Sequence, residues 1–299
     1  MNDILEILET RGPLTGKELL REARRDEFSL WAACSRSDKI VTKIIGNRYL
    51  RLDKIVEGYA RLSPSIMREF YGYTVIGTKK FSQEILLKAE LLQKEITEIS
   101  KKKFELAQNT IKRLVDTHHE SEIIKKYATF MIAGDVVYGM AHAEPRPELS
   151  TGELVMGSDL DIIVVVENLP EEIVSSVDVA IYEEKYNLLM NPACREEIDY
   201  KVKDIFKVQE QLQFKDFSSM VASKILDEAE YLYGSHDLYH RIKGMLLENG
   251  IPGRIISLGK KALIDREKAE SYLLQAHDNL SEEEAMKLFY TAGEREEIF

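Results

Sequence analysis

The feature that most constrains this chain is Met156-Gly157-Ser158-Asp159-Leu160-Asp161, running straight into Ile162-Ile163-Val164-Val165-Val166. The apolar end is rich in β-branched residues, which suits a buried strand. The polar end places carboxylates at i and i+2, so on a strand Asp159 and Asp161 share one face while Leu160 and Ile162 share the other. Two acids side by side repel unless something positive lies between them, and a divalent metal is the usual solution. Gly157-Ser158 supplies a tight turn and a hydroxyl at the same edge.

Three further pieces belong with this one. Phe130-Met131-Ile132-Ala133 reads as a strand ending in the turn Gly134-Asp135. Glu196-Glu197-Ile198-Asp199-Tyr200-Lys201-Val202 reads as a later strand carrying a third acid, Asp199, between apolar neighbours. Lys224 to Ser235 reads as a helix with a Tyr-Gly exit. Taken in order, the four pieces resemble the polymerase-β-like nucleotidyltransferase superfamily over residues 120–245. An ordered set is far more specific than a bare Asp-x-Asp. The resemblance implies a small mixed sheet binding Mg²⁺, or Mn²⁺, with an NTP as substrate. Asp159, Asp161 and Asp199 match its catalytic, metal-holding carboxylates. Gly134, Asp135, Gly157, Ser158 and Lys224 fall where the nucleotide is bound.

One departure stands out. The superfamily usually has Gly-Ser where this chain has Gly134-Asp135, and an acid there repels phosphate unless it faces away or binds metal. The residues also carry plainer readings. Asp159 and Asp161 suit a turn acid and a capping acid, Asp199 an edge-strand acid, Ser158 a turn cap and Lys224 a surface lysine.

Composition bounds the rest. A chain of 299 residues with 44% hydrophobic and 31% charged residues has the makeup of a soluble globular protein of two or three domains. No apolar run approaches a membrane span, and the acidic start Met1-Asn2-Asp3-Ile4-Leu5-Glu6 does not read as a signal peptide. Cys34 and Cys194 lack Cys-x-x-Cys spacing, so neither a disulfide framework nor a zinc site is expected, and the chain reads as cytoplasmic. A net charge of −11 argues against wholesale polyanion binding while leaving a local basic patch open.

The expected fold class is α+β. Residues 1–75 form a small N-terminal domain. Thr15 and Glu18 make a capping box for a second helix, and a third helix spans Asp26 to Ser37 with Trp31 in its core. Lys39–Ile45 and Arg48–Leu52 flank Gly46-Asn47, a two-residue hairpin signal. Three helices followed by a hairpin resemble a winged helix-turn-helix. Residues 36–54 hold six bases (Arg36, Lys39, Lys43, Arg48, Arg51 and Lys54) against Asp38 and Asp53, a net of +4. That pattern suits contact with DNA or RNA phosphates, and equally a module for protein contacts. Residues 76–119 read as a long helical connector of roughly 60 Å if continuous. Its apolar stripe changes phase at Lys101-Lys102-Lys103, a run that reads as a solvated face. The same helix could support a homodimer or pack on the chain's own domains. Residues 120–205 form the proposed nucleotidyltransferase domain, with a Pro-containing loop from Ala141 to Gly152. Residues 206–299 read as nearly all helix, with Gly234, Gly244, Gly250 and Pro252-Gly253 as punctuation and a last helix starting at Asn279.

Other chemistries fit poorly. There is no Walker-type phosphate loop, no Gly-x-Ser-x-Gly elbow and no zincin histidine pair. His236 and His240 share i, i+4 spacing without a further ligand. The leading expectation is a metal-dependent transfer of an NMP from an NTP to a hydroxyl, with nucleic acid as one acceptor. The alternatives are a DNA-binding regulator whose inactive domain senses nucleotide, and a modifier of small molecules like the antibiotic-adenylating members.

Overall fold

The computed structural model describes residues 2–148, 152–276 and 281–289. The chain is mixed α+β with small sheets. It begins with α1 (Asn2–Arg11), β1 (Leu14–Thr15), α2 (Gly16–Ala23), α3 (Glu27–Arg36) and β2 (Ile40–Ile44). Next come β3 (Tyr49–Leu52), β4 (Ala60–Ser63), α4 (Ile66–Tyr73) and β5 (Thr74–Thr78). The middle runs through α5 (Ser82–Thr117), α6 (Ser121–Tyr127), β6 (Ala128–Ala133), β7 (Pro145–Pro147), β8 (Leu154–Met156) and β9 (Leu160–Val166). Then follow α7 (Glu171–Met190), β10 (Ile198–Asp204), α8 (Ile205–Gln211), α9 (Phe217–Glu228) and β11 (Glu230–Gly234). The chain closes with α10 (His236–Glu248), α11 (Ile251–Ala276) and α12 (Glu282–Leu288). Two compact units result: Met1–Glu95 with Leu258–Phe299, and Ile96–Ser257. Among the described residues no helix is long and apolar enough to cross a membrane.

In the first unit the local signals act as expected. Thr15 accepts from the Glu18 amide at 3.2 Å while the Glu18 carboxylate accepts from the Thr15 amide at 2.7 Å, a complete capping box. Asp26 caps α3 and Ser65 caps α4. Trp31 is buried, as the sequence suggests. The expected hairpin at Gly46-Asn47 does not form. β2 pairs antiparallel with β5, β3 pairs with β4, and the sheet order is β1-β5-β2. The turn signal is overridden by tertiary contacts: the Ile45 amide donates to the Tyr73 carbonyl and the Gly46 amide to the Gln93 side chain. β5 is buried at every position, so it takes the central place that the more exposed β3 does not.

The C-terminal segment completes this unit's core. Leu273 and Phe289 are fully buried with Ile4, Leu8, Leu19, Leu30, Met67 and Ile76. The Phe289 ring lies 5.4 Å from both Phe28 and Trp31 on α3. Below them Arg48 forks onto Glu69 at 2.5 and 2.6 Å, and Arg266 bonds Glu270 at 2.6 Å, Glu69 at 3.3 Å and the Pro64 carbonyl at 3.0 Å. Arg36 donates to the Leu274 carbonyl at 2.6 and 2.9 Å.

The second unit is a four-stranded sheet of order β10-β9-β6-β11, covered by helices on both faces. Strands β9 and β10 are parallel and joined by α7, the crossover such a pair requires. Strand β6 is antiparallel to β9, and β11 to β6. Strand alternation divides the core. Leu160, Ile162, Val164 and Val166 pack with residues of α5, α6 and α7, including Ala107, Ile111, Ile124, Val177 and Ile181. Ile163 and Val165 pack with residues of α8, α9 and α10, including Ile205, Val208, Leu226 and Ile242.

The structure corrects several sequence readings here. Residues 230–234 form an edge strand within the segment expected to be helical, because Tyr231-Leu232-Tyr233 pairs with β6. Gly244 and Pro252-Gly253 lie inside α10 and α11, while Gly250 separates them. Helix α5 runs unbroken through the phase change, and of its lysine run only Lys101 and Lys102 are solvated; Lys103 is buried. Ser281 caps α12, whereas Asn279 lies outside the described residues.

Phe289→Ala removes the ring against the chain's one tryptophan. It is expected to cost about 3–5 kcal/mol of stability. Denaturant melts followed by tryptophan emission check this, with a red-shifted native spectrum as the second expected sign.

Candidate functional site

The site is built on the register of three strands. Asp161 and Asp199 are direct partners on parallel β9 and β10, and Ala133 is the partner of Asp161 on β6. Paired residues on neighbouring strands project to one face. Asp161 alternates with Ile163 and Val165, so both carboxylates lie on the α8–α10 side, at the sheet end where Gly134 begins its turn. Asp159 lies just before β9, and the negative charges of Asp159 and Asp199 both act on Asp161.

Gly134 has φ +74°, and a Cβ there would fall 2.1 Å from Asp161 Oδ2. Glycine is thus required twice, by conformation and by the close approach of the carboxylate. Gly157, with φ +73°, is equally constrained, since a Cβ there would lie 1.8 Å from the His142 carbonyl oxygen. Asp135 faces Ser158: its carboxylate accepts from Ser158 Oγ at 3.0 Å, and Ser158 Oγ accepts from the His142 amide at 3.2 Å. Ser158 is therefore a bridge between the Gly134 turn and the 141–144 loop in this structure.

Asp161 is the electrostatic centre. It is half-buried, and its pKa is raised well above the ordinary carboxylate value. Burial contributes most, followed by the negative charges of Asp159, Asp135, Asp199 and Glu228. Asp199 is exposed at the rim.

Residues that the sequence reading missed surround this centre. Glu228 is buried on α9 and accepts from the Tyr138 hydroxyl at 2.5 Å and from the Gly134 amide at 3.3 Å. Burial and the neighbouring Glu228 raise the Tyr138 pKa, so the phenol stays protonated and donates. Lys224 pairs with Glu228 at 2.5 Å and lies 5.3 Å from the Tyr138 ring centroid. Lys224 is thus buried rather than a surface lysine, and as placed it neutralises Glu228. Their i, i+4 spacing was the available signal. Arg146 of β7 reaches three groups: the Gly157 carbonyl at 3.0 Å, the Asp159 carboxylate, and Glu197 at 3.0 Å. Lys103 of α5 reaches the Met156 carbonyl at 2.7 Å and the Glu196 carboxylate. Burial nevertheless raises the Glu196 pKa, with Lys103 opposing. Glu196 and Glu197 are consecutive, and each draws in a buried cation of its own.

Among the described residues no three His, Cys, Asp or Glu side chains are arranged to hold a metal ion. The donor chemistry nonetheless suits a hard divalent cation: carboxylates crowd Asp161, and the charges acting most on it are all negative. Asp159 as placed is turned to Arg146. His236 and His240 stack edge to face on α10, 4.3 Å apart. No known protein family, curated protein or solved structure matches this chain.

Two outcomes follow from this geometry. Asp161→Asn is expected to raise the melting temperature of metal-free protein at neutral pH. The folded pKa of Asp161 lies above its unfolded value, so the ionised carboxylate opposes folding above the folded pKa and ceases to do so as pH falls through it. The mutant's advantage must therefore shrink on acidification, which calorimetry across pH checks. Gly134→Ala is expected to lose about 1–2 kcal/mol from its left-handed backbone alone, with displacement of Asp161 added; chemical denaturation measures it.

Proposed function

We propose that this protein is a divalent-metal-dependent nucleotidyltransferase, moving an NMP from an NTP to a hydroxyl acceptor. One observation carries the reading: Asp161 and Asp199, in register on parallel strands, stand beside Asp159 at the end of the sheet where the Gly134 turn lies. The four-stranded sheet between helical layers supports placing the catalytic domain here, as the superfamily resemblance implies. Asp161 and Asp199 would hold Mg²⁺ or Mn²⁺, with Asp159, turned to Arg146, adding negative charge beside them. When bound, such an ion supplies charge neutralisation for the phosphate oxygens and the attacking hydroxyl.

The chain's own groups have distinct parts in this reaction. The acceptor oxygen attacks the α-phosphorus as the bond to the β-phosphate oxygen breaks, and pyrophosphate leaves. Asp199, exposed at the rim, receives the hydroxyl proton. Gly134 keeps the space that Asp161 fills. Ser158 orients Asp135, and Lys224 pairs with Glu228, which accepts from the Gly134 amide.

A second reading has its own support. The Gly134 amide donates to Glu228, and Asp135 stands where the superfamily has serine. Both features reduce the turn's capacity to bind phosphate, which favours a domain that senses nucleotide without transferring it. The first unit bears on the nucleic-acid partner. Its helix order and β1-β5-β2 sheet suit a winged helix with β3, β4 and α4 inserted before the last strand. Of its six clustered bases Lys39, Lys43 and Lys54 are exposed, whereas Arg36 and Arg48 bond the unit's own residues. Phosphate contact would rest on the lysines. A cytoplasmic location and a homodimer remain parts of the proposal that the chain's composition and long α5 helix suggest.

Purified protein incubated with each α-labelled NTP, Mg²⁺ or Mn²⁺ and a cell extract is expected to transfer label and release pyrophosphate. Asp161→Asn should reduce both by at least about a hundredfold, in line with loss of a metal-holding group. Nucleotide binding without pyrophosphate release would support the sensing reading instead.

A further inference from the structure

Arg146 is placed by an unusual piece of chain. It lies between Pro145 and Pro147 on β7, with Val155 of β8 as its antiparallel partner. The flanking prolines have no amide hydrogens to offer a ladder, so β7 is suited to an edge. The Arg146 side chain is only 8% exposed. Its Nε donates to the Gly157 carbonyl at 3.0 Å, and its Nη2 donates to Asp159 Oδ1 and to Glu197 Oε2 at 3.0 Å. A buried arginine between two carboxylates is an internal counter-ion with a fixed, forked geometry.

The charges around the site divide into two groups. Glu228 is answered by Lys224, Glu196 by Lys103, and Glu197 and Asp159 by Arg146. The charges acting most on Asp161 are Asp159, Asp135, Asp199 and Glu228, all of them negative. A two-ion centre needs carboxylates that bridge both ions. Asp159 Oδ1 already receives a guanidinium N–H, so that oxygen is engaged by a cation of the chain itself.

We infer that Arg146 stands in for one of two cations, and that this chain binds a single divalent ion at Asp161 and Asp199. The inference rests on the metal-dependent reading above and deepens it. Arg146 is then a positioning residue: it holds Asp159 and the entry to β10 through Glu197, and it sets the number of ions. An arginine with only a structural role would leave that number unchanged.

The test counts Mn²⁺ bound to the chelator-treated full chain, from the loss of the free-ion electron paramagnetic resonance signal and by titration calorimetry. Wild-type protein and Arg146→Lys are expected to bind one ion per chain, and Arg146→Gln two. A folded Arg146→Gln that binds one ion overturns the inference, as does a wild-type count of two. Should Arg146→Gln fail to fold, single substitutions in the wild-type background decide. The ion's affinity should fall more than tenfold in Asp161→Asn and less than threefold in Asp159→Asn. Equal losses in the two overturn the single-ion arrangement while leaving the metal site itself intact. A wild-type protein that binds no Mn²⁺ removes the metal-dependent reading and this inference with it.

Discussion

Repulsion between carboxylates at one end of the central sheet is the constraint around which the second unit is arranged. The parallel ladder of β9 and β10 places Asp199 beside Asp161, and the chain just before β9 adds Asp159. The ladder is held by backbone hydrogen bonds and by two buried faces, so the acids are carried into proximity by forces indifferent to their charge. Compensation then comes from different parts of the chain: Lys103 from α5, Arg146 from β7 and Lys224 from α9. Buried ion pairs of this kind contribute little net stability, because removing each charge from water offsets much of the attraction. Their effect is specificity of place. They tie the segments before β9 and β10 to α5 and β7, while the charges acting most on Asp161 are negative.

The first unit shows the same logic in a different setting. Glu69 is buried and drawn on by two arginines, Arg48 and Arg266, which belong to distant parts of the sequence. With Phe289 on Trp31, these contacts make the C-terminal segment part of the N-terminal core. A surface that the sequence marks as basic is consequently turned partly inward, and its capacity for phosphate contact rests on fewer groups than the count of bases suggests.

Local patterns proved readable where local physics decides them. The Thr15–Glu18 capping box, the cap at Asp26, the strands at Ala128–Ala133 and Ile198–Asp204, and the long α5 helix all depend on neighbours within a few residues or on one periodicity. The signals that failed were local ones overruled from afar. Gly46-Asn47 has hairpin chemistry, but β5 offers β2 a fully buried partner. Tyr231-Leu232-Tyr233 follows a helix and precedes another, but an open edge of β6 takes it as a strand. Lys103 sits in a run of three lysines on a helix, a pattern that means solvent for Lys101 and Lys102, yet the acid Glu196 and the Met156 carbonyl draw it inside.

By itself the sequence determined that two acids two residues apart lie at the start of a buried strand, that a third acid sits on another strand, and that glycine turns lie close by. Alternation and turn chemistry are properties of short stretches, so they survive without knowledge of the fold. Only the tertiary structure decided which charges answer those acids. Arg146 and Lys103 carry no sign of their partners, because their ion pairs join residues far apart in the chain. The register of β10 on β9, and with it the meeting of Asp199 and Asp161, was likewise settled by the packing of both sheet faces against their helices.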